Sequence, residues 1–249
     1  MPALQKYDAM KLRLNVVDML RLLKKIYSYR ELSAMTGVPE SVLCRYVRGS
    51  TVPSLQQAQN IMEKLEKNVD IRKIISSRID RLVEGYVDVS NIIGDPHLLR
   101  LMAHYVALKL AGRRVTKILV PETNGVPFAT MLADTLEVPM VIAKRSKDNP
   151  YEQYEEATVV EPALRSTITY YIPRRMISRK DSVLIVDDVI QSGRTISALA
   201  KAVAKMGAKT AGTAAIVSVG EPRANIPKPV IVLLYLGEPG RGPDRESTV

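Results

Sequence analysis

The run Val183-Leu-Ile-Val-Asp-Asp-Val-Ile-Gln-Ser-Gly-Arg-Thr195 constrains this chain more than any other stretch. Its four leading apolar residues predict a buried strand ending in two carboxylates, Asp187 and Asp188. Gln191, Ser192, Gly193 and Arg194 then turn the chain into a helix expected from Thr195 to Met206 and stopped by Gly207. A strand that passes through a tight turn into a helix is the repeating step of a parallel α/β sheet. The start of such a helix offers unpaired N–H groups and the positive end of its dipole to a phosphate. Glycine lets the backbone come close, and the Ser192 and Thr195 hydroxyls add donors. Carboxylates beside a phosphate cradle call for something hydroxylated or metal-bearing between them, and a ribose 5-phosphate satisfies both ends. The other common phosphate motifs, G-x-x-x-x-G-K-[ST] and a G-x-G-x-x-G after a strand, do not occur.

The surrounding pattern agrees with an α/β fold. A helix is expected from His97 to Ala111, then a strand over Lys117 to Val120, a loop containing Pro121, Gly125 and Pro127, and a helix around Phe128 to Leu136. Further strands are expected at Pro139 to Ala143, Ser166 to Ile172, Thr210 to Val219 and Val230 to Leu236. The segment from Lys144 to Arg165 reads as polar and irregular. The expected architecture is a doubly wound parallel sheet behind an all-α N-terminal head. Its parts are a head over 1–66, a charged helical connector and hood over 67–96, an α/β domain over 97–236 and a flexible tail over 237–249.

Within the head, Leu12, Val16, Met19, Leu20 and Leu23 recur at helical spacing. Helices are also expected over Tyr29 to Thr36, from Pro39 to about Arg48, and after Ser54 through Leu65. Gly37 stands where a tight turn between two helices needs a left-handed residue, and Ser33 is small where the helices must approach. Leu32, Val38, Leu43 and Val47 form the expected inward face. Glu40, Ser41, Cys44, Arg45 and Arg48 form an outward stripe suited to the major groove, where arginine bonds guanine edges or phosphates. The layout resembles the helix-turn-helix of the Cro/repressor class, including its Gly-Ser-Thr-Val-Pro-Ser exit. The plainer alternative is a helical interaction module with a solvated basic face.

Composition closes several other routes. Among 249 residues, 46% hydrophobic and 25% charged is an ordinary globular mixture, which excludes wholesale disorder. No run of 18 apolar residues exists to span a membrane, and the start, with Asp8 and no long apolar core, does not read as a secretory signal. One cysteine forms no internal disulfide, and with two histidines it builds no standard zinc site, so the chain reads as cytoplasmic with no metal held by its own side chains. The net charge of +10 suits nucleic acid or phosphorylated metabolites equally well. Residues 1–66 contribute +4 of it, about twice as much per residue as the remainder.

The Val183–Thr195 run resembles the 5-phosphoribosyl 1-pyrophosphate (PRPP) signature of the type I phosphoribosyltransferases, with Ser192 in place of the commoner threonine. The resemblance extends over about residues 97–236. It makes Asp187, Asp188, Gln191, Ser192, Gly193, Arg194 and Thr195 the PRPP or nucleotide site, with Mg2+ carried in by PRPP. It also implies that Glu122, Thr123, Asn124 and Gly125 form a pyrophosphate loop, that Lys144 and Arg145 bring cations to it, and that Asp148 to Arg165 are a mobile closing loop. Leu236, Gly237 and Glu238 and parts of 66–96 are candidates for a hood that selects the base. Neither His97, His104 nor Cys44 is given a catalytic role.

A DNA-reading head joined to such a core is similar to the archaeal orotate phosphoribosyltransferase-like transcription regulators and, in logic, to the purine repressors. That resemblance implies a regulator of purine nucleotide metabolism rather than an enzyme. It would sense PRPP or a purine nucleotide and bind double-stranded DNA at a palindromic operator as a homodimer. The alternatives are an active PRPP-dependent purine or pyrimidine phosphoribosyltransferase carrying an accessory DNA-binding head, and a nucleotide-binding adaptor whose head contacts protein.

Overall fold

The computed structural model describes residues 6–81, 86–161, 166–222 and 224–237. The chain divides into two compact units between Asp70 and Ile71.

The first unit contains α1 (Lys6–Lys24), α2 (Tyr29–Thr36), α3 (Glu40–Arg48) and α4 (Leu55–Asn68). Local chemistry sets each boundary. Ser28 and Ser54 open α2 and α4 through reciprocal caps, each hydroxyl accepting from the third helical amide while Glu31 or Gln57 reaches back. Gly37 and Gly49 close α2 and α3 with φ of 69° and 77°, a conformation that favours glycine. Leu20, Leu23, Leu32, Leu43, Ile61 and Leu65 fill the core. Two arginines of α1 fasten the other elements: Arg21 donates to the Val47 carbonyl at 2.8 Å and Arg13 to that of Pro53 at 2.7 Å.

The second unit begins with α5 (Ile71–Ser76), a short antiparallel pair β1 (Asp80–Arg81) and β2 (Val87–Asp88), then α6 (Ser90–Ile93) and α7 (Pro96–Lys109). The expected charged helix through Asp88 is therefore interrupted. Ile71, Ile74 and Ile75 are buried, which ties the short α5 down, and the chain beyond it turns back on itself. Next come β3 (Lys117–Pro121), α8 (Val126–Leu136), β4 (Met140–Ala143), β5 (Tyr154–Glu161), β6 (Ser166–Pro173), β7 (Ser182–Ile190), α9 (Arg194–Lys205), β8 (Lys209–Val219) and β9 (Val230–Leu236).

The main sheet has the order β4-β3-β7-β8-β9, and every pairing is parallel. The β3–α8–β4 step grows the sheet one way and β7–α9–β8 the other. The crevice between β3 and β7 is thus the topological switch point, where open α/β sheets receive ligands at the carboxyl ends of their strands. Leu119, Val141, Val183, Ile185 and Ala215 pack with Ile196, Leu199, Ala202 and Val203 of α9 on one side of the sheet. The α8 helix packs on β3, β4 and β7.

Two expectations change here. The segment from Lys144 to Arg165 is not irregular throughout, because β5 and β6 pair over eight residues as an antiparallel hairpin. Ala157 and Val159 alternate inward and join the core beside α9, while the buried Glu155 pairs with Lys205 at 3.6 Å and Arg174 at 3.5 Å. Residues 162–165 of the expected closing loop, and the tail from Glu238, lie outside the described residues. The PRPP-like strand is also longer than its apolar run. It continues past Asp187 and Asp188 to Ile190, because Val189 and Ile190 keep the ladder to Val217 and Ser218 of β8.

Candidate functional site

Three strands of the switch point deliver the predicted residues to one end of the sheet. At the end of β3, Pro121 leads through Glu122, Thr123, Asn124 and Gly125 into α8, with the Glu122–Thr123 peptide cis. Thr123 and Asn124 are exposed and Glu122 is half-buried. Gly125 is buried against the acidic pair: a Cβ built there would stand 3.2 Å from the Asp188 amide nitrogen and 3.3 Å from the Asp187 Cα. The pyrophosphate-like loop and the acidic pair, some sixty residues apart in sequence, are therefore in backbone contact.

On β7, Asp187 Oδ1 accepts from the Asp188 amide at 3.0 Å. Burial first, and then the adjacent Asp188 carboxylate, push the Asp187 carboxyl well above its usual range. Two neighbouring carboxylates, one of them buried, form a site that gains from a ligand bringing hydroxyls or positive charge.

Past Gln191, which is exposed, the chain turns at Gly193 with φ 75° and enters α9. The Ser192 hydroxyl accepts from the Arg194 amide at 3.4 Å, and the first amides of α9 have no intrahelical acceptor. Gly193 also lies under the loop after β8: a Cβ there would meet Ile226 at 3.1 Å and Pro222 at 3.2 Å, and the Ala224 amide donates to the Ser192 carbonyl at 3.0 Å. Arg194 is exposed and Thr195 half-buried, so the start of α9 is open to solvent.

Lys144 and Arg145 follow β4. Lys144 exchanges backbone hydrogen bonds with Tyr171 of β6 at 3.1 and 2.7 Å, which ties the hairpin to the edge of the sheet. Its ammonium bonds Asp148 at 2.5 Å, and that bond raises its pKa. Arg145 is exposed and lies beside the Tyr170 hydroxyl. Tyr170 was not among the residues expected at the site. Burial raises the pKa of its hydroxyl, Arg145 opposes that, and the carboxylates of Asp187 and Glu122 add to it. Among the described residues, no three His, Cys, Asp or Glu side chains converge as a metal cluster.

In the first unit, Gly37, Val38 and Pro39 join α2 to α3 in the helix-turn-helix layout. Glu40, Ser41, Arg45 and Arg48 are exposed along α3, as the spacing predicts. Cys44 departs from that stripe: it is half-buried beside the hydroxyl of Tyr29 from α2. Inside, Leu32 and Leu43 are buried, Val38 and Val47 only half-buried, and Tyr46 fills the remaining core position while its hydroxyl donates to Gln57 at 3.2 Å.

Comparison with known proteins converges on the second unit. The chain is 30% identical over 124 residues to the xanthine phosphoribosyltransferase of Streptococcus uberis, covering 49% of this chain and 64% of that enzyme. It is 28% identical over 140 residues to the xanthine phosphoribosyltransferase of Streptococcus pyogenes, covering 55% and 72%. In structure it is similar to the adenine phosphoribosyltransferase of Rhodothermus marinus, with a TM-score of 0.60, 25% identity, and coverage of 67% of this chain and 98% of that one. The fold is shared also with the Giardia lamblia adenine enzyme complexed with 9-deazaadenine, with a TM-score of 0.61, 16% identity and coverage of 68% and 98%. These relatives are purine enzymes by name, whereas the sequence resemblance pointed to orotate-type regulators. The profile of the phosphoribosyl transferase domain matches residues 93–236, more than half of the chain, and the chain belongs to that family.

Proposed function

We propose that the chain is a PRPP-dependent purine phosphoribosyltransferase carrying an accessory DNA-reading head, which reverses the order suggested by the sequence. The observation that carries this reading is the backbone contact of Gly125 with Asp187 and Asp188 at the switch point, with the Gly193 cradle on the same strand-to-helix connection. The purine names of the relatives support it.

In this reading the amides at the start of α9, with Ser192 and Thr195, hold the 5-phosphate of PRPP. Asp187 and Asp188 accept from the ribose hydroxyls and take the magnesium ion that accompanies PRPP. The Glu122–Gly125 loop, Lys144 and Arg145 hold the pyrophosphate. A ring nitrogen of the purine base attacks the ribose C1 and gives up its proton to solvent, the C1–oxygen bond to pyrophosphate breaks, and pyrophosphate leaves with that bond's electron pair. Most of the acceleration comes from holding base and sugar in line and from electrostatic stabilisation of the cation-like sugar and leaving group.

The test is pyrophosphate release from PRPP in the presence of xanthine, adenine, guanine, hypoxanthine or orotate, each supplied separately. Release with a purine supports the enzyme; release with orotate alone overturns the purine assignment. Binding of PRPP with no release for any base returns the chain to the sensor reading. That second reading shares with the first the exposed Glu40, Ser41, Arg45 and Arg48 on a helix-turn-helix, and gives that head the main role. There PRPP or a purine nucleotide would shift the DNA affinity of a homodimer, and a coupling of about 1–3 kcal/mol suffices.

A further inference from the structure

We propose that Tyr170 is a positioning residue that holds the Arg145 guanidinium toward the pyrophosphate of PRPP; this rests on the proposed PRPP site. Backbone geometry places the pair. The antiparallel bridge between Lys144 and Tyr171 sets Arg145, the next residue after β4, opposite Tyr170, the preceding residue of β6. The Tyr170 ring is anchored: it is 5% exposed, its partner across the hairpin is the small, buried Ala157, and it packs in the core that also contains Ile185. Asp187 lies two residues beyond Ile185 on β7, so it points to the same side of the sheet as that core.

A tyrosine with a buried ring needs a hydrogen-bonding partner for its hydroxyl, and here the hydroxyl meets Arg145 within the field of the Asp187 and Glu122 carboxylates. Arg145 itself is exposed. A long exposed side chain pays conformational entropy when a ligand immobilises it, and a contact to a rigid group reduces that loss. The rigid Tyr170 ring is such a group. The same hydroxyl lies within the electrostatic reach of Asp187, so the cation meant for pyrophosphate is held near a carboxylate meant for ribose.

The experiment measures PRPP binding with magnesium by titration calorimetry on the full chain, for the wild type, Tyr170→Phe, Arg145→Ala and the double variant, with thermal unfolding in parallel. Tyr170→Phe keeps the ring and its packing and removes only the hydroxyl. The expected result is a loss of PRPP affinity of about tenfold in Tyr170→Phe, the scale of one hydrogen bond to a charged group. In the Arg145→Ala background, Tyr170→Phe should cost nothing further, because the hydroxyl acts through the arginine. If purine turnover is present, KM for PRPP should rise while kcat changes less than twofold. Unchanged PRPP affinity in Tyr170→Phe, or equal losses in both backgrounds, overturns the proposal. A wild type that binds PRPP but releases no pyrophosphate refutes the enzyme reading and leaves this inference to the binding data; a wild type that binds no PRPP overturns both.

Discussion

Gly125 lies against Asp188 so closely that a Cβ on it would stand 3.2 Å from the Asp188 amide nitrogen. Two of the three nearest atoms are backbone of the acidic pair, which cannot swing aside as the end of a flexible side chain would. Gly125→Ala must therefore push the Glu122–Gly125 loop away from β7. Its φ of −70° suits alanine, so the whole cost is one of space. The expected outcome is a destabilisation of about 1–3 kcal/mol, the range for overpacking, together with weaker PRPP binding. Thermal unfolding and PRPP calorimetry on the same variant check it. Lower thermal stability with unchanged PRPP affinity would reduce the contact to packing alone.

Asp187 sets a pH dependence of stability. Its native carboxyl has a raised pKa, first because it is buried and then because Asp188 adjoins it. From the unfolded value near 3.8 up to the raised native value, the folded chain holds more protons than the unfolded one, so stability falls as pH rises across that window. Asp187→Asn removes the charge and should stabilise the second unit at neutral pH by about 0.5–2 kcal/mol, the usual gain from relieving a functional site. The gain should fade as pH falls through 3.8 and vanish well below it, where the wild-type carboxyl is neutral in both states. The same variant should lose PRPP affinity, since a site built for a ligand is relaxed at the expense of binding it. Denaturant unfolding at acid and neutral pH is the measurement, and an equal ΔΔG at both would contradict the argument.

Lys144 is held by Asp148 at 2.5 Å, and a cation engaged by its neighbour is partly withheld from a pyrophosphate. Both side chains are well exposed, so solvent and salt leave the pair weak. Asp148→Asn should strengthen PRPP binding by about two- to fivefold, because the pair no longer has to be broken. The gain should shrink as salt rises, because screening already weakens the wild-type pair. Titrations at low and high ionic strength read both effects, and a loss of affinity would mean that Asp148 orients Lys144 rather than competing for it.

How much of this was legible in the sequence follows the range of the interactions. The turn at Gly193, the caps at Ser28 and Ser54 and the exposed arginines of α3 depend on residues a few positions apart, and the residue types alone announce them. The continuation of β7 past two aspartates does not, because a charged pair ends an apolar run on paper while the ladder to β8 carries the strand on to Ile190. Of the hairpin, β6 was legible from its alternation, whereas β5 was obscured by Glu155 and Glu156, whose partners Lys205, Arg174 and Lys147 come from other segments. Tyr170 reaches the site only through the pairing of Lys144 with Tyr171, which no local pattern encodes. Cys44 shows the same limit in the head: helical periodicity turns it outward, and Tyr29 from the preceding helix covers it.

The head makes its own prediction, separable from the enzyme site because it rests on residues of the first unit alone. Arg45 and Arg48 are exposed on α3 and contribute two charges to whatever that face meets. If they meet DNA phosphates, each contact formed releases condensed counterions and steepens the dependence of affinity on salt by about 0.9 in the log–log slope. Arg45→Ala with Arg48→Ala should then lower affinity for a mixed-sequence duplex by at least about tenfold and reduce that slope by nearly two, with PRPP affinity unchanged. Fluorescence anisotropy at several salt concentrations reads both quantities from one labelled duplex. Should the arginines instead read base edges in a particular operator, the loss on the mixed duplex would be small, and selection of a preferred sequence by the wild type but not by the variant would reveal it. A wild-type chain with no salt-dependent affinity for duplex DNA would overturn the DNA-reading assignment of α3.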